Sequence, residues 1–386
     1  MYSILLALIY LAFISLGLPD SLLGSAWPVI QLEMGVPVSY AGIVTMIMSG
    51  GTIISSLLSG RLTQRFGAGL VTAAGVMMTA FALYGFSISS SFWMFCLFAV
   101  PYGLGGGSVD AAINNYVALH YSSRHMNWLH CFWGVGAVIG PYIMSYSLIK
   151  QLGWGNGYLS VSIIQIFLVV MLFISLPLWK RKKSTISEAQ NEAPLLSFSQ
   201  IIRLKGVKYV MVAFFVYCGI EATAFHWAST YLVKYRGIEA EVAASYAALF
   251  FIGITIGRFL SGIVSEKTGD RNMIRIGVIV MLVGITTVGL PLAADWPALY
   301  GLVIIGFGCA PIFPAFIHST PANFGKVNSP SIIGIQMASA YTGSTFMPPL
   351  FGLLANGVSF VIYPFFMLVL VFLMLIMTEK LNKICA

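Results

Sequence analysis

The chain has 386 residues, of which 59% are hydrophobic and 8% charged, with a formal net charge of +8. About a quarter of the residues in an ordinary soluble domain carry charge, so this composition excludes a soluble enzyme and a soluble nucleic-acid-binding protein. Apolar stretches of 18 or more residues recur along the whole length, each long enough to cross about 30 Å of hydrocarbon, and they describe an all-α, multi-pass membrane protein.

Twelve spans are expected, at residues 3–31, 39–62, 69–89, 92–119, 126–149, 157–179, 206–234, 242–264, 273–293, 297–320, 329–355 and 358–377. Residues 1–17 lack a basic n-region and a small-residue cleavage site, so they read as the start of span 1 and not as a removable signal peptide. The long polar stretch is "KRKKSTISEAQNEAPLLSFSQIIRLK". It divides the chain into 1–179, a linker at 180–205, and 206–386, with six spans on either side. Of the 20 Lys and Arg residues, all but Lys150, Lys234, Arg236 and Arg258 then fall on one side. By the positive-inside rule that side is the cytoplasm, which places both termini there; the short loops and termini suggest a bacterial cytoplasmic membrane.

Acids inside the spans are expensive, at about 2.5–3.5 kcal/mol on insertion scales, and they face a cavity or a partner. Three occur: Asp20, Asp110 and Glu221. Asp20 follows Pro19 in span 1, where proline removes a backbone donor and frees a carbonyl one turn back. It suits a proton site, a hydroxyl acceptor or a helix cap. Asp110 lies in span 4 within "YGLGGGSVDAAINNYV", whose glycines permit close helix approach or a bend. Two roles are open to it, a carrier of a coupling proton and a structural tie between helices. Asn114 lies one turn further along the same span. In span 5, Asn127, His130 and Gly134 form a polar and small stripe with Trp133 beside it. Span 7 carries Glu221, His226 and Trp227 in "GIEATAFHWASTYL". Glu221 and His226 are five apart and share a face only where the helix unwinds. Arg258 in span 8 reads as a residue that snorkels to the interface. Span 11 adds Gln336 and Tyr341 as pocket residues, while its hydroxyls bond back to their own helix.

The four cysteines before Cys385 fall within spans and no CxxC occurs, so neither disulfides nor a metal site is expected. The glycines before Asp110 lack the preceding strand and the third glycine of a dinucleotide loop, and no phosphate loop is present. No cofactor is expected. The partners foreseen are a small solute, protons and the lipid bilayer, with no nucleic acid, and the chain is read as a monomer.

The two halves repeat. "GGTIISSLLSGRLTQRFG" (50–67) resembles "IGITIGRFLSGIVSEKTG" (252–269) at an offset of 202, with Gly51/Gly253, Leu58/Leu260, Ser59/Ser261, Gly60/Gly262 and Gly67/Gly269 matched. Repeated halves mark transporters whose site lies between the repeats near the midplane.

These loops resemble the signature of the major facilitator superfamily. In the first copy Gly60, Arg65 and Gly67 match, but Gln64 stands where the family has an acid; the second copy keeps Glu266, with Lys267, Gly269 and Arg271. The resemblance implies two pseudo-symmetric six-helix bundles and a latching role for Arg65, Glu266 and Arg271. "GLPDSLLGSAWPVI", "GLGGGSVDAAINNY", "NWLHCFWGVGAVIGP" and "APIFPAF" are similar to spans 1, 4, 5 and 10 of the fucose permease and related sugar:proton symporters. That similarity matches Asp20 and Asp110 to two embedded carboxylates, sets His130 in place of an amide and Trp133 in place of an asparagine. It implies proton-coupled uptake of a small hydroxylated solute, a sugar, by alternating access. Proton-driven efflux of amphipathic compounds is the alternative, since an embedded acid serves antiport equally well.

Overall fold

A computed structural model describes residues 2–180, 198–292 and 294–385. The helices in chain order are α1 (Tyr2–Asp20), α2 (Leu22–Glu33), α3 (Tyr40–Phe66), α4 (Ala68–Ser87), α5 (Phe92–His120), α6 (Ser123–Ile149), α7 (Trp154–Lys180) and α8 (Phe198–Arg203). They continue with α9 (Val207–Lys234), α10 (Ala240–Thr268), α11 (Asp270–Gly289), α12 (Trp296–Cys309), α13 (Ile312–Phe324), α14 (Ser329–Gly357) and α15 (Tyr363–Ile384). A short 3-10 turn, Phe360–Ile362, precedes the last. Each of the twelve expected spans is helical. Most of the expected linker, at 181–197, lies outside the described residues, and its end forms α8.

Among the described residues, eleven helical stretches are long and apolar enough to cross a membrane. The remaining expected span is α14, whose Gly, Ser, Thr and Gln residues dilute its hydropathy. Spans 1 and 10 are each two helices. α1 gives way to α2 at Ser21, directly after Pro19 and Asp20, and α12 gives way to α13 at Ala310 and Pro311. The Pro19 break exposes the Ser15 carbonyl, and Gln165 of α7 fills the vacancy, donating from Nε2 at 2.7 Å. Its other amide atom accepts from Thr79 of α4 at 2.8 Å, so one buried glutamine ties three helices together.

The described residues divide into two compact units. The first comprises those of Met1–Tyr116, Leu129–Leu195 and Lys326–Ala338; the second those of Val117–Trp128, Leu196–Gly325 and Ser339–Ala386. The internal repeat is visible in both. Gly67 ends α3 with φ of 81° and its mate Gly269 ends α10 with φ of 76°, a backbone region that favours glycine. A Cβ on Gly51 would meet the Gly103 and Leu104 backbone, and one on Gly253 the Val303 and Phe307 backbone. The same small-residue contact is therefore built twice, 202 residues apart.

Candidate functional site

The first unit carries two of the three acids expected within the spans, in different settings. Asp20 closes α1 at the break and its side chain is exposed. Tyr102 Oη donates to its Oδ1 at 2.9 Å and Trp133 Nε1 to its Oδ2 at 2.9 Å. Glycines bring Trp133 there. A Cβ on Gly136 would lie 2.1 Å from the Ile14 carbonyl oxygen, and one on Gly140 2.0 Å from that of Leu18. The backbones of α1 and α6 are thus in direct contact, and the Ser21 hydroxyl adds a bond to the Ala137 carbonyl at 2.8 Å. Each carboxylate oxygen of Asp20 has a fixed donor, with two aromatic rings beside it. Such a carboxylate can accept further hydrogen bonds while its own orientation is held.

Asp110 is buried within the first unit, on α5. The glycines before it do what close packing needs: a Cβ on Gly103 would meet the Met48 carbonyl oxygen at 2.2 Å, and one on Gly107 that of Thr52 at 2.5 Å. Asn114 Nδ2 donates to Asp110 Oδ1 at 2.8 Å and to the Asp110 carbonyl at 3.0 Å. Since the amide nitrogen is used in this way, Asn114 Oδ1 is the acceptor facing His130 Nε2 at 3.0 Å. That bond assigns the proton of a neutral His130 to Nε2. Asp110, Asn114 and His130 therefore form one buried polar chain running from α5 to α6. The rings of His130 and Phe13 meet at right angles at a centroid distance of 5.3 Å.

The second unit carries Glu221 on α9, a helix that runs unbroken from Val207 to Lys234. Without unwinding, Glu221 and His226 point apart. Glu221 Oε2 accepts from Tyr217 Oη, one turn back, and its Oε1 lies 3.8 Å from Arg258 Nη2. Tyr217 Oη also lies 2.9 Å from the Cys309 carbonyl at the break between α12 and α13. Arg258 is 3% exposed, which overturns the expectation that it snorkels to the interface. The reason is Gly257, whose missing side chain lets α10 press on Ala310 and carries its neighbour inward.

The other expected residues are spread. His226 is exposed, with Nδ1 at 2.8 Å from the Ala222 carbonyl. Trp227 donates to the Pro348 carbonyl at 2.8 Å and packs on Phe351 and Phe360. Gln336 is fully buried in the first unit, whereas Tyr341 is half-buried in the second. Glu266 accepts from Ser122 at 2.6 Å and pairs with Arg124 at 2.8 Å. Arg271 donates to the Cys385 carbonyl, and Arg65 lies over its neighbour Phe66. Among the described residues no three His, Cys, Asp or Glu side chains gather as a metal site.

The family model described as Major Facilitator Superfamily matches residues 9–247 and 237–382. The chain belongs to the major facilitator superfamily. It is a multi-pass membrane transporter and not an enzyme. This superfamily member is 23% identical over 90% of its length to the cis,cis-muconate transport protein of Acinetobacter baylyi, covering 86% of that protein. It is 25% identical over 66% of its length to Bypass of stop codon protein 6 of Saccharomyces cerevisiae, and spans 56% of that protein's length. Its fold is similar to the solved structure of the transporter FucP in the outward conformation, with a TM-score of 0.77 at 14% identity over 98% of both chains. It is also similar to the proton:xylose symporter XylE, with a TM-score of 0.80 at 13% identity over 99% and 95% of the two chains.

Sequence reasoning missed four residues of these sites in this superfamily member: Tyr102, Gln165, Tyr217 and the inward side of Arg258. Tyr217 had a usable signal, since it precedes Glu221 by four residues on one helical face. Tyr102 had none, because its partner Asp20 lies 82 residues away.

Proposed function

We propose that this transporter is a proton-coupled importer of a small hydroxylated solute, a sugar in the first instance, working by alternating access. The observation that carries this reading is Asp20, an exposed carboxylate at a helix break, gripped by the phenol of Tyr102 and the indole of Trp133. A carboxylate accepts solute hydroxyls and an indole face stacks on the C–H surface of a sugar ring. Asp110 is the acid to which we assign the coupling proton, with Asn114 and His130 as the hydrogen-bonded neighbours that orient it. The likeness to the proton:xylose symporter is in keeping with proton coupling as such. Of the other residues expected to line a pocket, Trp133 belongs to this solute site. Arg65, Glu266 and Arg271 are assigned to latching. We read the protein as lying in a cytoplasmic membrane with both termini inside, from its basic-residue asymmetry, and we take it to act as a monomer.

The test is uptake of labelled sugars into proteoliposomes with and without an inward proton gradient. Gradient-driven accumulation is expected in the wild type. In Asp110→Asn it is expected to disappear while solute counterflow persists, because counterflow needs binding and alternation but no net proton movement. Accumulation indifferent to both the gradient and the substitution removes proton coupling. Drug tolerance in an expression strain, in place of growth on a carbon source, selects export.

A further inference from the structure

The second unit gathers cations at one corner, where three of its membrane-crossing helices end. Lys208 lies in the first turn of the span Val207–Lys234 and Arg271 in that of Asp270–Gly289, while Lys380 lies near the end of Phe360–Ile384. Packing brings these ends together. A Cβ on Gly206 would meet Leu381 Cδ1 and Phe324 Cε1 at 3.1 Å and Cys385 Sγ at 3.4 Å, so the turn that carries Lys205 and Lys208 is pressed onto the end of α15. Lys380 Nζ lies 5.9 Å from the Tyr209 ring centroid, and Arg271 Nη2 donates to the Cys385 carbonyl at 2.8 Å. The acids at this end of α11 and α15 are engaged elsewhere. Arg275 donates to both Glu379 oxygens at 2.8 Å, and Asp270 Oδ2 faces His318 Nδ1 at 2.7 Å. Among the described residues no ion pair reaches Arg203, Lys205, Lys208, Arg271 or Lys380. Like charges held together repel, and an anion between them removes that cost.

This cluster is particular to the second half. At the offset of 202 Gly75 and Gly277 still match, but Gly69 takes the place of Arg271 and Ala73 that of Arg275. A basic-residue asymmetry shared by both halves therefore does not account for it. α8 adds an apolar edge. Phe198 and Ile202 share one face of it, with Phe198 51% exposed, whereas Ile201 is buried. An exposed aromatic ring beside basic residues is the pattern of a segment that lies in the headgroup layer.

We propose that this corner is a binding site for an anionic phospholipid, whose phosphate is held by Lys205, Lys208 and Lys380 and whose acyl chains lie against the Phe198 face of α8. The cations stand at span ends, at headgroup depth, and adjoin an apolar edge from which a soluble phosphate gains nothing. The bound headgroup joins the turn before α9 to the end of α15 by charge as well as by packing. The site is independent of the solute carried, and so of the uptake reading above.

The experiment is a thermal-shift titration of the purified full-length protein, in neutral detergent, with dioleoyl phosphatidylglycerol, dioleoyl phosphatidylcholine or inorganic phosphate. Phosphatidylglycerol is expected to raise the melting temperature saturably, and the other two to leave it near its starting value. In K208Q/K380Q the half-saturating concentration of phosphatidylglycerol is expected to rise about tenfold or more. R61Q/K150Q removes the same charge from the first unit and is expected to respond as the wild type does. All four of these side chains are exposed, so both variants are expected to fold. F198S is expected to weaken phosphatidylglycerol binding by removing the acyl-chain contact. Equal stabilisation by phosphatidylcholine, or none by phosphatidylglycerol, overturns the proposal. So does an equal shift with inorganic phosphate, which assigns the corner to a soluble anion. Equal weakening in K208Q/K380Q and R61Q/K150Q overturns it too, since that is the mark of diffuse surface charge.

Discussion

The indole N–H of Trp133 on α6 donates to the carboxylate of Asp20 at the end of α1, at 2.9 Å and across 113 residues of chain. Tyr102 supplies the second donor from α5, so three helices meet at one acid. Hydrogen bonds to a charged group are worth about 1.5–3 kcal/mol. Trp133→Phe keeps an aromatic ring and removes the donor. The solute KM of uptake is expected to rise about tenfold or more, with the fold intact by size-exclusion chromatography. An unchanged KM separates Asp20 from solute binding.

The α1–α6 contact that places Trp133 depends on Gly136, where a Cβ would lie 2.1 Å from the Ile14 carbonyl oxygen. Gly136→Ala is expected to push the helices apart at a cost of about 1–3 kcal/mol and to weaken uptake along with Trp133→Phe. Gly106→Ala is the control, since nothing lies within 4 Å of a Cβ there. Its melting temperature in detergent is expected to match the wild type.

Asn114 is fully buried and supplies both halves of the Asp110–His130 link. Asn114→Leu, of similar volume, strips both neighbours of their shared partner. A buried hydrogen bond is worth about 0.5–1.5 kcal/mol, and more where one partner is charged, so a drop in melting temperature is expected. Proton-driven accumulation is expected to fall further than counterflow. An equal fall in the two assigns Asn114 to folding only.

Arg124 and Glu266 pair at 2.8 Å with both side chains partly in solvent. Exposed pairs contribute little to stability, so neutralising Glu266 is expected to leave the melting temperature nearly unchanged. As a latch, the pair is expected to act on rate. Glu266→Arg slows or unbalances uptake, and the exchange Arg124→Glu/Glu266→Arg restores it. Failure of the exchange to restore the rate assigns Glu266 to its Ser122 contact, which the swap does not rebuild.

Hydropathy, basic-residue placement and the repeat at offset 202 determined the twelve spans and their family, because membrane insertion is governed by local composition and each span satisfies its own backbone. The break at Pro19 and the acids Asp20, Asp110 and Glu221 were also legible, since a missing backbone donor and a charge in an apolar run are local facts. Only the tertiary structure decided what each acid faces. Asp20 meets Tyr102 and Trp133, Asp110 joins Asn114 and His130, and Glu221 shares Tyr217 with the Cys309 carbonyl. Arg258 was misread for the same reason: whether a long cation reaches the interface or turns inward depends on how closely its backbone approaches the next helix. At Gly257 that distance is fixed by Ala310, more than fifty residues further along the chain.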